Sequence, residues 1–310
     1  MSEPLHQSVL LSEVVFALAP RSGGVYIDAT LGLGGHAEAI LDASAPAGRL
    51  LGVDRDPAAL DHARRRLARF GDRVTLIESD FLHLAEVARS VDHAPADGLV
   101  ADLGVSSLQL DEPARGFSFQ ADGPLDMRMG PSVGATAKER LAGVDLDELT
   151  RWLAEYGEVE RPKSLARAIL DARDRGELST TRDLARVVVD KVRVKKPGTI
   201  HPATRVFQAL RIAVNRELEA LEALLRSLPQ LLKAGGRAAI ISFHSLEDRL
   251  VKNAFRDPPV DARLASLPVD RAHGPLEAVS RRPITPSSEE IARNPRARSA
   301  KLRVAQRRAE

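Results

Sequence analysis

The sequence contains no cysteine. This absence excludes disulfide bridges, thiolate metal sites and a cysteine nucleophile. It also excludes the zinc chemistry of base deaminases, which requires histidine and cysteine ligands. Aromatic residues make up only 4% of the chain, so a surface that stacks many nucleic-acid bases is not expected.

Long apolar runs are absent as well. No stretch reaches the roughly 18 apolar residues of a membrane-spanning helix, and Ser12 and Glu13 interrupt the N-terminal apolar run, which no basic segment precedes. Neither a spanning helix nor a signal peptide is predicted, and we expect a cytoplasmic protein. With 44% hydrophobic and 28% charged residues among 310, the composition is that of a globular protein.

Positive charge is concentrated in two segments, although the whole chain carries a net charge of only +2. Residues 191–216 hold seven Lys or Arg and no acid, and residues 281–310 hold nine against three acids. This concentration indicates a polyanionic partner, because each base that neutralises a phosphate releases counterions. Solvated faces and a loose tail are the alternative on charge alone.

Short apolar runs alternate with helical stretches over the first hundred residues and predict a doubly wound, mostly parallel α/β sheet. The predicted strands cover 25–27, 50–53, 74–77, 98–101 and 238–241, with weaker late strands at 276–284 and 299–306. Asp54, Glu78 and Asp102 follow the second to fourth of these strands. Acidic side chains are therefore expected along the carboxyl edge of the sheet.

The middle of the chain has a different pattern, with helical stretches and no convincing strand. Helices are predicted at 147–156, 162–175 and 181–192. We therefore predict an inserted helical domain, residues 110–201. It would interrupt a discontinuous domain made of residues 1–109 and 202–310. Helical spacing of apolar residues from Val206 to Leu225 is expected to return the chain to that first domain.

A glycine-rich turn follows the first predicted strand, which ends at Asp28. The spacing Gly32-x-Gly34-x-x-Ala37 satisfies the dinucleotide fingerprint, with Asp54 about twenty residues further on. Charge favours S-adenosylmethionine instead, because Asp28 would repel a pyrophosphate and attract an ammonium and a sulfonium. Asp54 would then accept hydrogen bonds from the ribose hydroxyls.

Each of these residues could instead have a purely structural role. Asp28 would then belong to an ordinary turn or cap a helix, and the glycines would form a tight turn without a ligand. His36, in a first helical turn, would simply be exposed to solvent. No metal site is predicted, because no second histidine lies at ligand spacing from it.

Several long strings elsewhere are far more specific than a glycine motif. One is Val100-Ala-Asp-Leu-Gly-Val-Ser-Ser-Leu-Gln109, and the others cover 6–11, 115–119, 124–129, 196–205, 242–249 and 294–303. Through these strings the chain resembles the ribosomal RNA small subunit methyltransferase H family, also called MraW, over nearly its whole length. It departs from the family at Ser8, where proline is frequent, and at 31–33, where arginine often follows the glycine.

The resemblance implies a class I, S-adenosylmethionine-dependent methyltransferase. Its implied substrate is the N4 amine of a cytidine in the decoding centre of 16S rRNA, in the small ribosomal subunit. The implied cofactor contacts are Gly34, Gly35, His36, Asp54, Phe81, Asp102 and Gln109, to which the charge argument adds Asp28. For Phe81 a place in the hydrophobic core is the alternative.

The chemistry of a cytosine amine predicts what the site needs. Its lone pair is delocalised into the ring, so acceptors for its N–H protons are expected nearby, from Asp102, a following backbone carbonyl or Ser242. Asp126 and His244 are further catalytic candidates. Alternatively, each is a buried residue whose hydrogen bonds serve the structure. The cytidine must also leave its stack. Lys195, Lys196 and Arg205 are the candidate contacts to RNA phosphates.

Two rival functions stay open on these grounds. A methyltransferase for a small molecule or a protein would not require a concentrated basic surface. A cofactor-binding RNA chaperone would bind without catalysing transfer. The sequence also leaves open whether the protein is a monomer or a homodimer.

Overall fold

A computed structural model describes residues 8–130, 134–192, 201–257 and 273–309. The chain divides into two compact units. The sheet unit comprises Met1–Gly104 and Glu219–Glu310, and the helical unit comprises Val105–Leu218. These boundaries differ from the predicted insertion at 110–201, chiefly at its C-terminal side.

The described strands form one seven-stranded sheet with the order β3-β2-β1-β4-β5-β7-β6. They are β1 (Val25–Asp28), β2 (Arg49–Asp54), β3 (Val74–Glu78), β4 (Ala96–Asp102), β5 (Leu232–Ser242), β6 (Leu276–Ala278) and β7 (Lys301–Arg307). β7 runs antiparallel to β5 and β6, and the other pairs are parallel. The predicted α/β fold with a mostly parallel sheet is confirmed. The late strand predicted at 276–284 is shorter, since Ile284 makes only an isolated bridge with Leu302.

Helices account for most of the remaining described residues. They are α1 (Leu11–Leu18), α2 (Gly35–Ala43), α3 (Pro57–Leu67), α4 (Leu84–Ser90), α5 (Ser107–Asp111), α6 (Ala137–Gly143), α7 (Leu146–Glu155), α8 (Pro162–Asp174), α9 (Thr181–Lys191), α10 (Pro202–Asn215), α11 (Glu217–Leu231), α12 (Ser245–Ala254) and α13 (Ser288–Arg293). None of the helices in the described ranges is both long and apolar enough to span a bilayer.

Local sequence signals explain where α3 begins and ends. The Asp56 carboxylate accepts a hydrogen bond of 3.1 Å from the Ala58 N–H, and Pro57 occupies the first helical position; both features are typical of a helix start. The α-helix ends at Leu67, and the chain continues as a 3-10 helix over Ala68–Arg73.

The strands of the sheet unit are buried on both faces. Ile27 and Leu51 belong to one apolar cluster, and their neighbours Tyr26 and Leu50 belong to the other. Successive side chains of a strand point to opposite faces, so both faces must be covered. This double burial explains why these strands are nearly continuous apolar runs.

The strand order reverses between β1 and β4. From β1 the chain winds outward through β2 and β3, and it then crosses to the other side with β4 and β5. In open parallel sheets, ligands bind beyond the carboxyl ends of the strands at such a reversal. β1 and β4 end at Asp28 and Asp102 respectively.

Helix α10 packs in the helical unit and does not return the chain to the sheet. Its buried residues Val206, Phe207 and Leu210 belong to the core cluster of that unit. The predicted helical spacing is present, but Arg216 adopts a left-handed conformation with φ of 51° and separates α10 from α11. One amphipathic pattern is thereby divided between two helices.

A buried asparagine at the end of α10 holds the loop that contains Met127 and Met129. Asn215 is 3% exposed. Its Oδ1 accepts a hydrogen bond of 2.8 Å from the Met129 N–H, and its Nδ2 donates to the Met127 and Arg211 carbonyls at 2.8 Å each. Both polar atoms of this side chain therefore form hydrogen bonds with backbone groups and hold the loop against the end of α10.

We expect Asn215→Ala to lower the free energy of unfolding by about 2–4 kcal/mol, because it leaves a buried N–H and a buried C=O without their partner. Urea unfolding followed by the fluorescence of Trp152, the single tryptophan, which is buried in the helical unit, measures this loss. Asn253→Ala, at an exposed position of α12, should change stability by no more than about 0.5 kcal/mol. Equal effects of the two substitutions would contradict the assignment.

Candidate functional site

Asp28 is a buried carboxylate at the carboxyl end of β1, with 1% exposure. Its Oδ1 accepts a hydrogen bond of 3.2 Å from the Thr30 N–H, whereas Oδ2 has no hydrogen-bond partner in the described parts of the chain. A purely structural role of Asp28 in a turn thus explains the contact of Oδ1 but not the burial of Oδ2. Burial raises the pKa of Asp28 to about 7, and the nearby charge of Asp54 adds to the shift.

Asp102 occupies the corresponding position on β4. Its Oδ1 is buried and has no hydrogen-bond partner within the described ranges, although 24% of the side chain is exposed. Burial raises the pKa of this carboxyl well above its usual value, and the charges of Asp28 and Glu247 raise it further. Thr30 links the two strand ends, because its Oγ1 accepts a hydrogen bond from the Asp102 N–H.

Asp54, at the end of β2, holds the glycine turn in place. Its Oδ2 accepts from the Gly32 N–H at 2.8 Å, and its Oδ1 accepts from the Asp56 N–H at 2.9 Å. Gly32 and Gly34 have φ values of 50° and 78°, which favour glycine. Burial raises the pKa of Asp54. Each of its oxygens keeps a lone pair for a ligand hydroxyl.

Gly35 and His36 begin α2, and both are packed tightly. A side chain at Gly35 would collide with Ser8 Oγ. His36 is 5% exposed, and its Nε2 lies 3.0 Å from the Val9 carbonyl oxygen. The ring therefore carries its proton on Nε2, and Nδ1 lies 4.0 Å from Asp102 Oδ2. The solvated alternative for His36 is wrong.

The carboxyl end of β5 contributes Ser242 and, two residues on, His244. Ser242 is 1% exposed, and its Oγ donates to the Lys301 carbonyl at 3.4 Å. His244 Nε2 lies 3.1 Å from Glu247 Oε1, and His244 Nδ1 is buried with no hydrogen-bond partner among the residues that the structure describes.

Sequence reasoning missed Glu247, which is 2% exposed and accepts a hydrogen bond of 2.9 Å from the Phe243 N–H. Its position three residues after the residue that precedes α12 matches a capping box, and this spacing could have identified it. Thr30 was also missed, although it lies two residues after Asp28. Phe81 is half-buried and packs against an apolar cluster of the sheet unit. This contact agrees with the alternative that Phe81 belongs to the hydrophobic core.

Of the predicted site residues that the structure describes, three lie in the helical unit. Gln109 is 5% exposed and donates to the Met129 carbonyl at 3.1 Å. Arg205 is exposed, and one of its nitrogens donates to the Glu158 carbonyl at 2.7 Å. The third is Asp126, and Lys195 and Lys196 lie outside the described residues.

Asp126 forms a two-pronged ion pair with Arg128, at 2.8 Å from Nε to Oδ1 and 2.9 Å from Nη2 to Oδ2. Burial opposes ionisation, but the hydrogen bonds and the charge of Arg128 lower the pKa of Asp126 below its usual value. A carboxylate held in this way is a poor proton acceptor. The contacts therefore agree with a structural, hydrogen-bonded role for Asp126 and not with a catalytic one.

The residues of the sheet unit fit a positively charged ligand with hydroxyl groups. Asp28 Oδ2 and Asp102 Oδ1 are buried acceptors without hydrogen-bond partners in the described chain, and such groups require a proton or a cation. The ammonium and sulfonium of S-adenosylmethionine meet this need, and Asp54 is available to its ribose. A pyrophosphate would add negative charge to carboxylates that already resist ionisation.

Comparison with known proteins agrees with this chemistry. The model of the MraW methylase family matches residues 3–308. A relative from Sorangium cellulosum is 50% identical over 302 residues, which cover 97% of this chain and 90% of the relative. One from Magnetococcus marinus is 49% identical over 310 residues, which cover 97% and 98%. One from Thermomicrobium roseum is 48% identical over 316 residues, which cover 99% and 96%. Each relative is named ribosomal RNA small subunit methyltransferase H.

The raised pKa of Asp28 predicts how stability depends on pH. An unfolded aspartate ionises near pH 3.9, whereas Asp28 in the folded protein ionises at about 7. Between these values only the folded state retains the proton, so the free energy of unfolding falls as pH rises, by at most about 1.4 kcal/mol per pH unit for this group.

Asp28→Asn should flatten this dependence and stabilise the cofactor-free protein above pH 7. Urea unfolding followed by circular dichroism at pH 5 to 8 measures it. Asp61→Asn, at an exposed position of α3, should leave the wild-type profile unchanged. Parallel profiles for wild type and Asp28→Asn would show that Asp28 does not titrate in this range.

Proposed function

This chain belongs to the MraW methylase family, and we propose that it transfers the methyl group of S-adenosylmethionine to the N4 amine of a cytidine in small-subunit ribosomal RNA. The proposed target is in the decoding centre of 16S rRNA, and the proposed place of action is the cytoplasm. One observation carries the proposal: two buried carboxylate oxygens without hydrogen-bond partners in the described chain flank the strand-order reversal, beside a glycine turn held by Asp54.

The cofactor would be held mainly by the ends of β1, β2 and β4. Asp28 and Asp102 would face its cationic methionine part, and Asp54 would accept hydrogen bonds from its ribose. When bound, S-adenosylmethionine supplies an electrophilic methyl group. The remaining proposed contacts are Gly34, Gly35, His36, Phe81 and Gln109.

Asp102 is the proposed acceptor for the amine of the target base. The methyl carbon would pass from the sulfonium sulfur to the amine nitrogen, the S–C bond would break to leave a neutral thioether on the cofactor, and the nitrogen would gain positive charge and have to lose one proton. The pKa of Asp102 is raised by burial, and a carboxylate in such a site is a stronger base than an ordinary aspartate once a bound cation has replaced its own proton. The oxygen of Ser242 offers a second acceptor, since its own proton is donated to the Lys301 carbonyl.

His244 is assigned a positioning role through Glu247. Its Nε2 lies 3.1 Å from Glu247 Oε1, and Glu247 also accepts a hydrogen bond from the backbone before α12. The pair thus fixes the chain directly after Ser242, the last residue of β5. The charge of Glu247 also contributes to the raised pKa of Asp102.

The names of the relatives support RNA as the substrate. A cytidine must leave its stack to present its amine, at a cost of a few kcal/mol that contacts elsewhere have to offset. The basic segment 191–216, which includes Lys195, Lys196 and Arg205, is the proposed source of phosphate contacts. The helical unit is accordingly the proposed RNA-recognition unit.

The experiment that tests this function is transfer of radiolabelled methyl groups from S-adenosylmethionine to 30S particles and to naked 16S rRNA. Digestion of the RNA to nucleosides should place the label in N4-methylcytidine. Asp102→Asn should reduce the transfer rate by at least about tenfold, because the amide cannot take up the amine proton. Label in protein or small molecules alone, or binding without transfer, would establish one of the rival functions.

We expect Asp54→Ala to weaken cofactor binding by about one to three orders of magnitude, because it removes charge-assisted hydrogen bonds and releases the glycine turn. Titration calorimetry with S-adenosylmethionine measures the change. Asp61→Ala, an exposed position on α3, is the matched control and should bind normally. An unchanged dissociation constant for Asp54→Ala would remove Asp54 from the site.

A further inference from the structure

Three rings of the helical unit are in contact one after another, from its core to its surface. Phe207 is buried at 6% exposure, Phe119 is half-buried and His201 is exposed. The centroids of Phe207 and Phe119 lie 5.0 Å apart in an edge-on arrangement. Those of Phe119 and His201 lie 4.7 Å apart with only 31° between the ring planes. Burial of apolar area explains the two phenylalanines, but it does not explain an exposed ring stacked on them.

The His201 ring is held in a defined orientation. His201 precedes α10, and its Nδ1 accepts a hydrogen bond of 3.2 Å from the Ala203 N–H. Phe119 supports one face of the ring. The result is an aromatic surface of defined orientation at the exterior of the helical unit.

A positive charge lies on the helix that His201 caps. Arg205 is exposed and belongs to the first turn of α10, which His201 precedes. One of its nitrogens is held by the Glu158 carbonyl, which leaves other N–H groups of the guanidinium for a further acceptor. The first turn of α10 contains no acidic residue. An exposed ring and an exposed guanidinium at the start of one helix match the two parts of a nucleotide, its base and its phosphate.

We propose that His201, supported by Phe119, stacks on one unpaired base of the RNA while Arg205 contacts a neighbouring phosphate. This inference rests on the proposed function, which makes RNA the ligand. It adds a base-binding position in the helical unit and requires that the bound RNA be single-stranded there. Stacking accepts any base, because every base has a π-face.

Two substitutions separate stacking from helix capping. His201→Asn removes the ring but retains a side-chain acceptor that can cap α10. His201→Phe retains the ring but removes the capping acceptor. Stacking predicts that His201→Asn lowers RNA affinity by about 5- to 100-fold with little change in melting temperature. It also predicts that His201→Phe binds nearly as wild type while melting at a lower temperature.

The probes are naked 16S rRNA and a short, unstructured oligoribonucleotide of mixed sequence, titrated by fluorescence anisotropy. Salt dependence gives a second readout. Arg205→Gln should reduce the slope of log affinity against log salt by about 0.7, the value for one phosphate of single-stranded RNA. His201→Asn should leave that slope unchanged, because stacking releases no counterions.

The inference is overturned if His201→Asn binds as wild type, or if His201→Phe binds as weakly as His201→Asn. His201→Tyr repeats the second comparison if the phenylalanine variant does not fold. Methyl transfer by the wild type separates this inference from the proposed function. Transfer to RNA together with normal binding by His201→Asn would remove the stacking position alone, whereas a wild type that methylates no RNA would remove the function itself.

Discussion

The burial of two carboxylates at the carboxyl ends of β1 and β4 is the constraint on which the sheet unit depends. Asp28 and Asp102 each keep an oxygen without a hydrogen-bond partner in the described chain, and neighbouring charges raise their pKa values further than burial alone. Such groups are unfavourable in a cofactor-free protein. Thr30 bonds to both strand ends and holds them in place. The energetic disadvantage is removed when a cation arrives, so the same arrangement that weakens the free protein strengthens its complex.

The two units meet their functional demands by different physical means. The sheet unit uses desolvated charge, which discriminates strongly between cationic and anionic ligands. The helical unit is organised by neutral hydrogen bonds, such as those of Asn215, and by stacked rings. Its proposed ligand is held by π-surfaces and an exposed guanidinium. Stacking is tolerant of sequence, and the contact between the guanidinium and a phosphate is sensitive to salt. Both properties suit a polymer that is bound along its length while a single base is selected for the reaction.

Patterns of short range predicted much of this structure. Alternating strands and helices gave the correct fold class, and acids following apolar strands were correctly expected at one sheet edge, as Asp28, Asp54 and Asp102 show. The family assignment is confirmed. Helical spacing cannot reveal what a helix packs against, so the partner of α10 was missed. Burial of His36 depends on Val9, and the pairing of Phe119 with His201 depends on tertiary structure, which local patterns do not encode.

The position of β7 has a consequence for synthesis of the protein. This strand, Lys301–Arg307, lies between β5 and β6 in the interior of the sheet, although it follows both in the chain. During translation, β4 is an open edge until β5 emerges, and β5 is then an open edge until β7 has emerged. The complete helical unit, Val105–Leu218, is made between β4 and β5. The nascent sheet therefore carries unpaired backbone groups while that unit is made, a period in which edge-to-edge association competes with correct folding.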